Sequence, residues 1–311
     1  MTNLPNTWIN HSRPAVLEDA AAITDLIMAC DIAEYGVPDI VIEDTIEILN
    51  GIPLSTNTWV IFVDDQIVSF GFLEEDQTGK LSFYGYVHPS FIGQGLGSVL
   101  LGQMEERALQ YKAEQPEVVW HLSNVIPVNN KRAVSLVEDR GYRFKRLYSR
   151  MTMELKGPQT IVSTADSIMI CPSKPGSEPA LYAAYCEAFQ DTNRYRETTY
   201  EAWVAAKSGD QYDRKLWFSA YDGDELVGFI ISKNFKDHVF VDLLGVRRAW
   251  RKSGTGLALL QTVFQACYEQ GIEHVQLSVD AASLTGANRL YERAGMTASF
   301  QMGFYEKELL S

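Results

Sequence analysis

Landmarks in the first half of the chain return in the second half at almost one offset. Pro14 and Pro172 lie 158 residues apart, Val87 and Val246 lie 159 apart, Gly95 and Gly254 also 159, and Gly141 and Gly295 lie 154 apart. Four landmarks in one order at nearly one spacing mark an internal duplication. A duplication constrains the fold more than a single motif does, because both halves must suit the same architecture. At 311 residues the chain is long enough for two ordinary domains, and 46% hydrophobic residues can fill two cores. We expect domains at residues 1–156 and 157–311, joined at Lys156-Gly157-Pro158.

Each half reads as strands alternating with helices. In the first, residues 10–16 read as a short strand and 18–30 as a helix, with a further helical piece at 45–49. Residues 58–63 and 66–73 read as strands around an Asp64-Asp65 turn, and 81–87 as a third strand. Then come a glycine loop, a helix with Leu96, Val99, Leu100, Met104 and Ala108 on its inner side, a strand at 118–125, a helix at 130–139 and a closing strand region at 144–155. The second half repeats this with strands at 167–171, 216–221, 225–232 and 274–280, a helix at 180–189, and a last strand near 300–305.

The chemistry concentrates in Val246 to Leu260, VRRAWRKSGTGLALL. The run HVFVDLLGV before it is rich in β-formers, and Leu257, Leu260 and Phe264 after it have helical spacing. A strand, a glycine loop and a helix N-terminus present free N–H groups at a positive dipole end, with room for a bulky anion. The physical reading is a pyrophosphate cradle. The chain has no GxxxxGK[ST] string, so the cradle is no P-loop, and the loop is not GxGxxG.

The order Arg251-x-x-Gly254-x-Gly256 after a strand ending in Val246 resembles the coenzyme A motif of the GNAT superfamily of N-acetyltransferases. Downstream, Leu290-Tyr291-Glu292-Arg293-Ala294-Gly295-Met296 resembles a second hallmark of that family, LYExxGF, with Met for Phe. With the duplication, the chain resembles a tandem protein of this family, in an architecture similar to that of mycothiol synthases. The resemblance implies an α/β (α+β) fold, each half a mixed, mostly antiparallel sheet flanked by helices, with acyl-CoA between two splayed strands. It implies acetyl-CoA as the cofactor and a primary amine on a small molecule or peptide as the acceptor. It assigns the cofactor to Val246, Arg251, Lys252, Ser253, Gly254, Thr255, Gly256 and Leu257, with Ser283 where an Asn is expected. Tyr291 then sits where the family keeps the acid that protonates the departing thiolate.

A base should stand on the strand before the cradle. Asp242 lies there among Val241, Leu243 and Leu244, where an unpaired carboxylate would be costly, so it needs a partner or a task. Strict alternation puts His238, Phe240 and Asp242 on one face, with His238 outside the site. We expect Asp242 to act as base or amine anchor, against a structural hydrogen-bonding role. An amide near Val246 would polarise the thioester carbonyl.

The first half keeps Gly93, Gly95 and Gly97, with Gln94 and Leu96, after a strand ending in Val87, and Asn130 opens its final helix. It has Ile92 in place of the Arg and Val137 in place of the Tyr. It is either a second cofactor site or a scaffold, and we expect the scaffold.

The formal net charge of −13 disfavours nucleic acid and suits a cationic or amine substrate. Cys30, Cys171, Cys186 and Cys267 are scattered without CxxC, so they read as reduced thiols, with no metal site and no acyl-cysteine route. The stretch MTNLPNTWIN does not read as a signal peptide and no apolar stretch reaches membrane-spanning length, so we expect a cytoplasmic protein away from membranes, and we expect a monomer or homodimer. Two other functions stay open: a non-catalytic acyl-CoA sensor or partner-binding module, and a transferase of longer acyl groups.

Overall fold

A computed structural model describes residues 11–36, 38, 40–165, 167–190, 192, 195, 197–281 and 286–309. The chain forms two compact units: Met1–Leu147 with Gln301–Ser311, and Tyr148–Phe300.

In the first unit, β1 (Ser12–Arg13) leads to α1 (Ala20–Tyr35), α2 (Ile42–Gly51) and the short α3 (Leu54–Asn57). Then come β2 (Thr58–Val63), β3 (Gln66–Gln77), β4 (Lys80–Val87), α4 (Leu96–Glu114), β5 (His121–Pro127), α5 (Lys131–Asp139) and β6 (Arg143–Glu154). Asp64 and Asp65 both have positive φ, at 47° and 64°, as a tight two-residue hairpin requires. β1 to β4 pair antiparallel in chain order, whereas β4 and β5 are parallel. α4 buries Leu96, Val99, Leu100, Leu101, Met104 and Ala108, each large side chain stabilising by roughly 1.5–3 kcal/mol. α1 and α2 pack elsewhere, on a cluster with Val60, Ile67, Phe70 and Phe72.

The second unit repeats the plan with β7 (Ile168–Pro172), α6 (Glu178–Phe189), α7 (Tyr200–Ala205), β8 (Phe218–Asp222), β9 (Glu225–Asn234) and β10 (Val239–Val246). It continues with α8 (Thr255–Glu269), β11 (His274–Asp280), α9 (Ala287–Arg293) and β12 (Thr297–Glu308). α7 was not expected from the sequence. It starts at Thr199, whose hydroxyl caps Ala202 N–H, and it buries Trp203 against Leu181, Tyr185 and Trp217. α8 packs with Val239, Val241, Val275 and Leu277 in a separate cluster, so both faces of this sheet carry helices.

The unit boundary differs from the expected break at residue 157. The end of β12, Met302 to Glu308, pairs antiparallel with β5 in the first unit. The end of β6, Tyr148 to Glu154, pairs antiparallel with β11 in the second. Each repeat's last strand therefore completes the sheet of the other unit. The cores explain it: Tyr305 and Leu309 are buried with Trp120 and Leu122, while Met151 and Leu155 are buried with Val275 and Leu277. The apolar residues on either side of Lys156-Gly157-Pro158, Leu155 and Val162, serve the same core.

Among the described residues no helix is long and apolar enough to cross a membrane, and no cluster of His, Cys, Asp and Glu could hold a metal ion.

Candidate active site

β10 and β11 pair in parallel only at Val239 with Val275 and Phe240 with Gln276. Beyond those pairs the strands part. On its other side β10 carries a bulge: Val241 opposes Ser232, Leu243 opposes Ile231, and Asp242 opposes nothing. A bulge bends a strand and re-aims the extra residue. It also breaks the alternation of this strand beyond Asp242. Leu243 packs with the α6 cluster and Leu244 with the α8 cluster, so the faces exchange at Asp242. His238 pairs with Asp237 and stacks on Phe235, away from the cleft lining.

The parting strands open a cleft of about 670 Å³. Asp242, Val246, Arg251, Lys252, Gly254, Gly256, Leu257 and Tyr291 all line it. Asp242 Oδ2 accepts a hydrogen bond from Tyr212 Oη at 3.1 Å, so the half-buried carboxylate has a partner. Tyr291 reaches the cleft from α9, whose neighbour Asn288 donates to the carbonyls of Asp280 and Ala281 at 3.1 and 3.0 Å. That side chain ties α9 to the end of β11 and so helps to hold Tyr291 at the cleft wall.

The loop between β10 and α8 has a left-handed backbone. Gly254 caps α8 in the left-handed conformation with φ 88°, and Lys252, at φ 65°, shares that region at a cost a glycine would avoid. The first intrahelical bond runs from Ala258 N–H to Gly254 O at 3.0 Å, which leaves the amides of Thr255, Gly256 and Leu257 ahead of the ladder. Ser253 Oγ donates to Trp250 O at 2.6 Å and lies 2.8 Å from Thr255 Oγ1, so these hydroxyls shape the loop. Arg251 lines the cleft and also fastens its wall. Its Nε donates to Val246 O at 3.1 Å and its guanidinium to Ala188 O at 2.9 Å, fastening the end of β10 to α6. Gly256 serves packing: a Cβ there would lie 2.9 Å from Leu290 Cδ1, so its small size lets α8 approach α9. Ser283 lies outside the described residues.

Other lining residues were not anticipated: Phe189 and Thr192 at the end of α6, Ser278 and Asp280 on β11, and Arg289 and Arg293 on α9. The two arginines were legible as an i, i+4 pair around Tyr291. Tyr212 had no such signal, since it comes from an aperiodic loop before β8. Burial pushes the Cys267 and Cys30 thiols up to about 12, so neither supplies a thiolate near neutral pH.

Residues 179–296 match the acetyltransferase (GNAT) family, and residues 55–144 match an acetyltransferase (GNAT) domain. A solved GCN5-related N-acetyltransferase from Sphaerobacter thermophilus is 33% identical with a TM-score of 0.86, over 98% of this chain and 97% of that one. The chain belongs to the GNAT family of acetyltransferases. It is an acyltransferase with two GNAT domains in tandem. A mycothiol acetyltransferase of Thermobispora bispora is 26% identical over 79% of this chain and 82% of its own length. A tandem GNAT protein from the clavulanic acid biosynthesis pathway shares the fold at a TM-score of 0.71 and 13% identity, over 96% of this chain and 98% of that one.

The first GNAT unit keeps the left-handed glycine loop with different side chains around it. Gly93 and Gly95 take φ of 89° and 87°, matching Lys252 and Gly254. β4 and β5 also part, after Ser82 and Ser123, but the Asn124 side chain donates across the gap to Phe83 O. Val87 O accepts from Cys30 Sγ at 3.3 Å. Asn130 caps α5 by accepting from Ala133 N–H at 3.0 Å, and its amide donates to the Glu34 carboxylate. Where Asp242 and Tyr291 stand in the second unit, the first has Phe83 and Val137, 4% and 3% exposed. Leu96 is buried, Gln94 is exposed, and a Cβ at Gly97 would meet Leu136 at 3.4 Å, the same helix approach as at Gly256. Gly95→Val should therefore leave turnover within a few-fold of wild type, and steady-state rates of the two proteins check it. A loss as large as that from Gly254→Val would make the first unit a working site.

Proposed function

We propose that the protein transfers an acetyl group from acetyl-CoA to a primary amine, on a small molecule or peptide, in the cleft of the second unit. One observation carries the reading: a left-handed glycine cradle, a carboxylate and a phenol line one cleft between parted strands. The cofactor fits this chain's residues, since the amides of residues 255–257 stand ahead of the helix ladder at the positive end of α8. The bound thioester supplies the activated acetyl group. The amides of residues 255–257 would hold the pyrophosphate, with Lys252 adding charge. An amide near Val246 would polarise the acyl carbonyl. Asp242, oriented by Tyr212, would hold the acceptor amine and take its proton. Tyr291 would keep its hydroxyl proton for the departing thiolate. The first unit serves as scaffold.

Acetyl-CoA turnover over a panel of amines tests this reading. The panel should include the acceptor of the mycothiol acetyltransferases, because relatives carry that name. Tight binding with no turnover of any amine would favour an acyl-CoA sensor instead. Asp242→Asn tests the base. The amide keeps the shape of the side chain but cannot take a proton from the amine, so transfer at saturating acetyl-CoA should slow by roughly 10²–10⁴-fold. Steady-state rates of the two proteins check this, and a variant as fast as wild type would leave Asp242 as a structural partner of Tyr212.

A further inference from the structure

Around the Tyr212 that bonds Asp242, in the cluster it shares with Trp203, are two lysines that no step above uses. Lys233 Nζ lies 4.9 Å from the Tyr212 ring centroid, and Tyr212 is the residue bonded to Asp242. Lys207 Nζ sits 4.3 Å over the Trp203 ring, 3.4 Å from Trp203 O. Both are half-buried, and neither takes part in any ion pair among the described residues. Burial lowers the proton affinity of Lys207, Asp242 attracts its charge and Lys233 repels it. An ammonium drawn out of water without a touching carboxylate is costly, and an arriving anion offsets that cost.

The local balance is thus two positive charges to one negative, opposite in sign to the chain's −13. An amine approaches Asp242 as an ammonium, and a polycation would meet net repulsion. An amine that also carries an anion meets a complementary pattern. We propose that the acceptor is an amine bearing its own anionic group, a carboxylate or a phosphate, with the amine at Asp242 and the anion at Lys207 and Lys233. This rests on the acetyltransferase reading and narrows its substrate class. It sets aside polyamines and aminoglycosides, which the acidic composition alone favours.

The test is calorimetric titration of the full chain saturated with coenzyme A, using phosphoethanolamine, β-alanine, ethanolamine and putrescine in turn. At least one of the two anionic amines should bind about tenfold or more tighter than ethanolamine and putrescine, the usual scale of one charged hydrogen bond. Which of the two binds tighter separates phosphate from carboxylate. Lys207→Gln and Lys233→Gln should each remove most of that preference and leave ethanolamine and coenzyme A affinities unchanged. Unchanged coenzyme A affinity also shows that the variants are folded. Equal binding of all four amines, binding of none, a preference for putrescine, or a preference that survives both substitutions would overturn the proposal. Failure of coenzyme A itself to bind the wild type would instead overturn the acetyltransferase reading beneath it.

Discussion

Tyr291→Phe should slow acetyl transfer by roughly 10²–10⁴-fold, the range for a positioned acid, with little change in the KM for acetyl-CoA. The change removes one hydroxyl and almost no volume from a residue that packs partly against the α8 core cluster. Fold and cofactor affinity should therefore survive, and the loss should appear in kcat. A phenol suits the task because its ordinary pKa of about 10 lies close to that of a thiol, about 8.5. The measurement is single-turnover kinetics on wild type and variant, with an amine accepted by the wild type. A variant as fast as wild type in a step limited by chemistry would leave Tyr291 as a packing residue of α9.

Gly254→Val should abolish detectable coenzyme A binding by calorimetry, a loss of about a hundredfold or more if the cradle supplies several charge-assisted bonds. The reason lies in the backbone. Gly254 sits at φ 88°, and the atom nearest to an added Cβ is Ser163 O at 3.7 Å, so there is room for the side chain but not for the conformation. A β-branched residue would leave the left-handed region and swing the first-turn amides away. Gly254→Asn, which tolerates that region, should recover part of the affinity. Gly256→Val should fail differently: its Cβ would press on Leu290, so the melting temperature should fall along with affinity. Wild-type affinity in Gly254→Val would remove the cradle from the site.

The duplication, most strands and the glycine cradle were legible because they depend on local rules. Alternation and helical spacing mark β2 and α4, and only glycine or a strained residue fits a left-handed cap, so the string around Gly254 announces its own geometry. Asp242 was legible as an anomaly, a carboxylate in an apolar strand. The bulge beside it was not, because a bulge is a mismatch between two strands and cannot be read from one. Arg251 shows the same limit. Its place beside the glycine loop could be read from the string, whereas the carbonyls of Val246 and Ala188, which take two of its N–H donors, are brought near only by β10 and α6.

The sequence by itself determined that one fold occurs twice, and that the second copy alone carries an Asp and a Tyr at the positions where chemistry is expected. Those are statements about residue identity at repeated positions, and an offset suffices to make them. Tertiary structure decided where each unit ends, since β6 and β12 satisfy their edge hydrogen bonds and bury Met151 and Tyr305 in the other repeat's unit. It also decided the field around Asp242. A chain of net charge −13 presents two lysines there, because α7, the loop carrying Tyr212 and β9 bring Lys207 and Lys233 together from separate stretches of sequence. Electrostatic energy depends on distance through space, and separation along the chain does not report it.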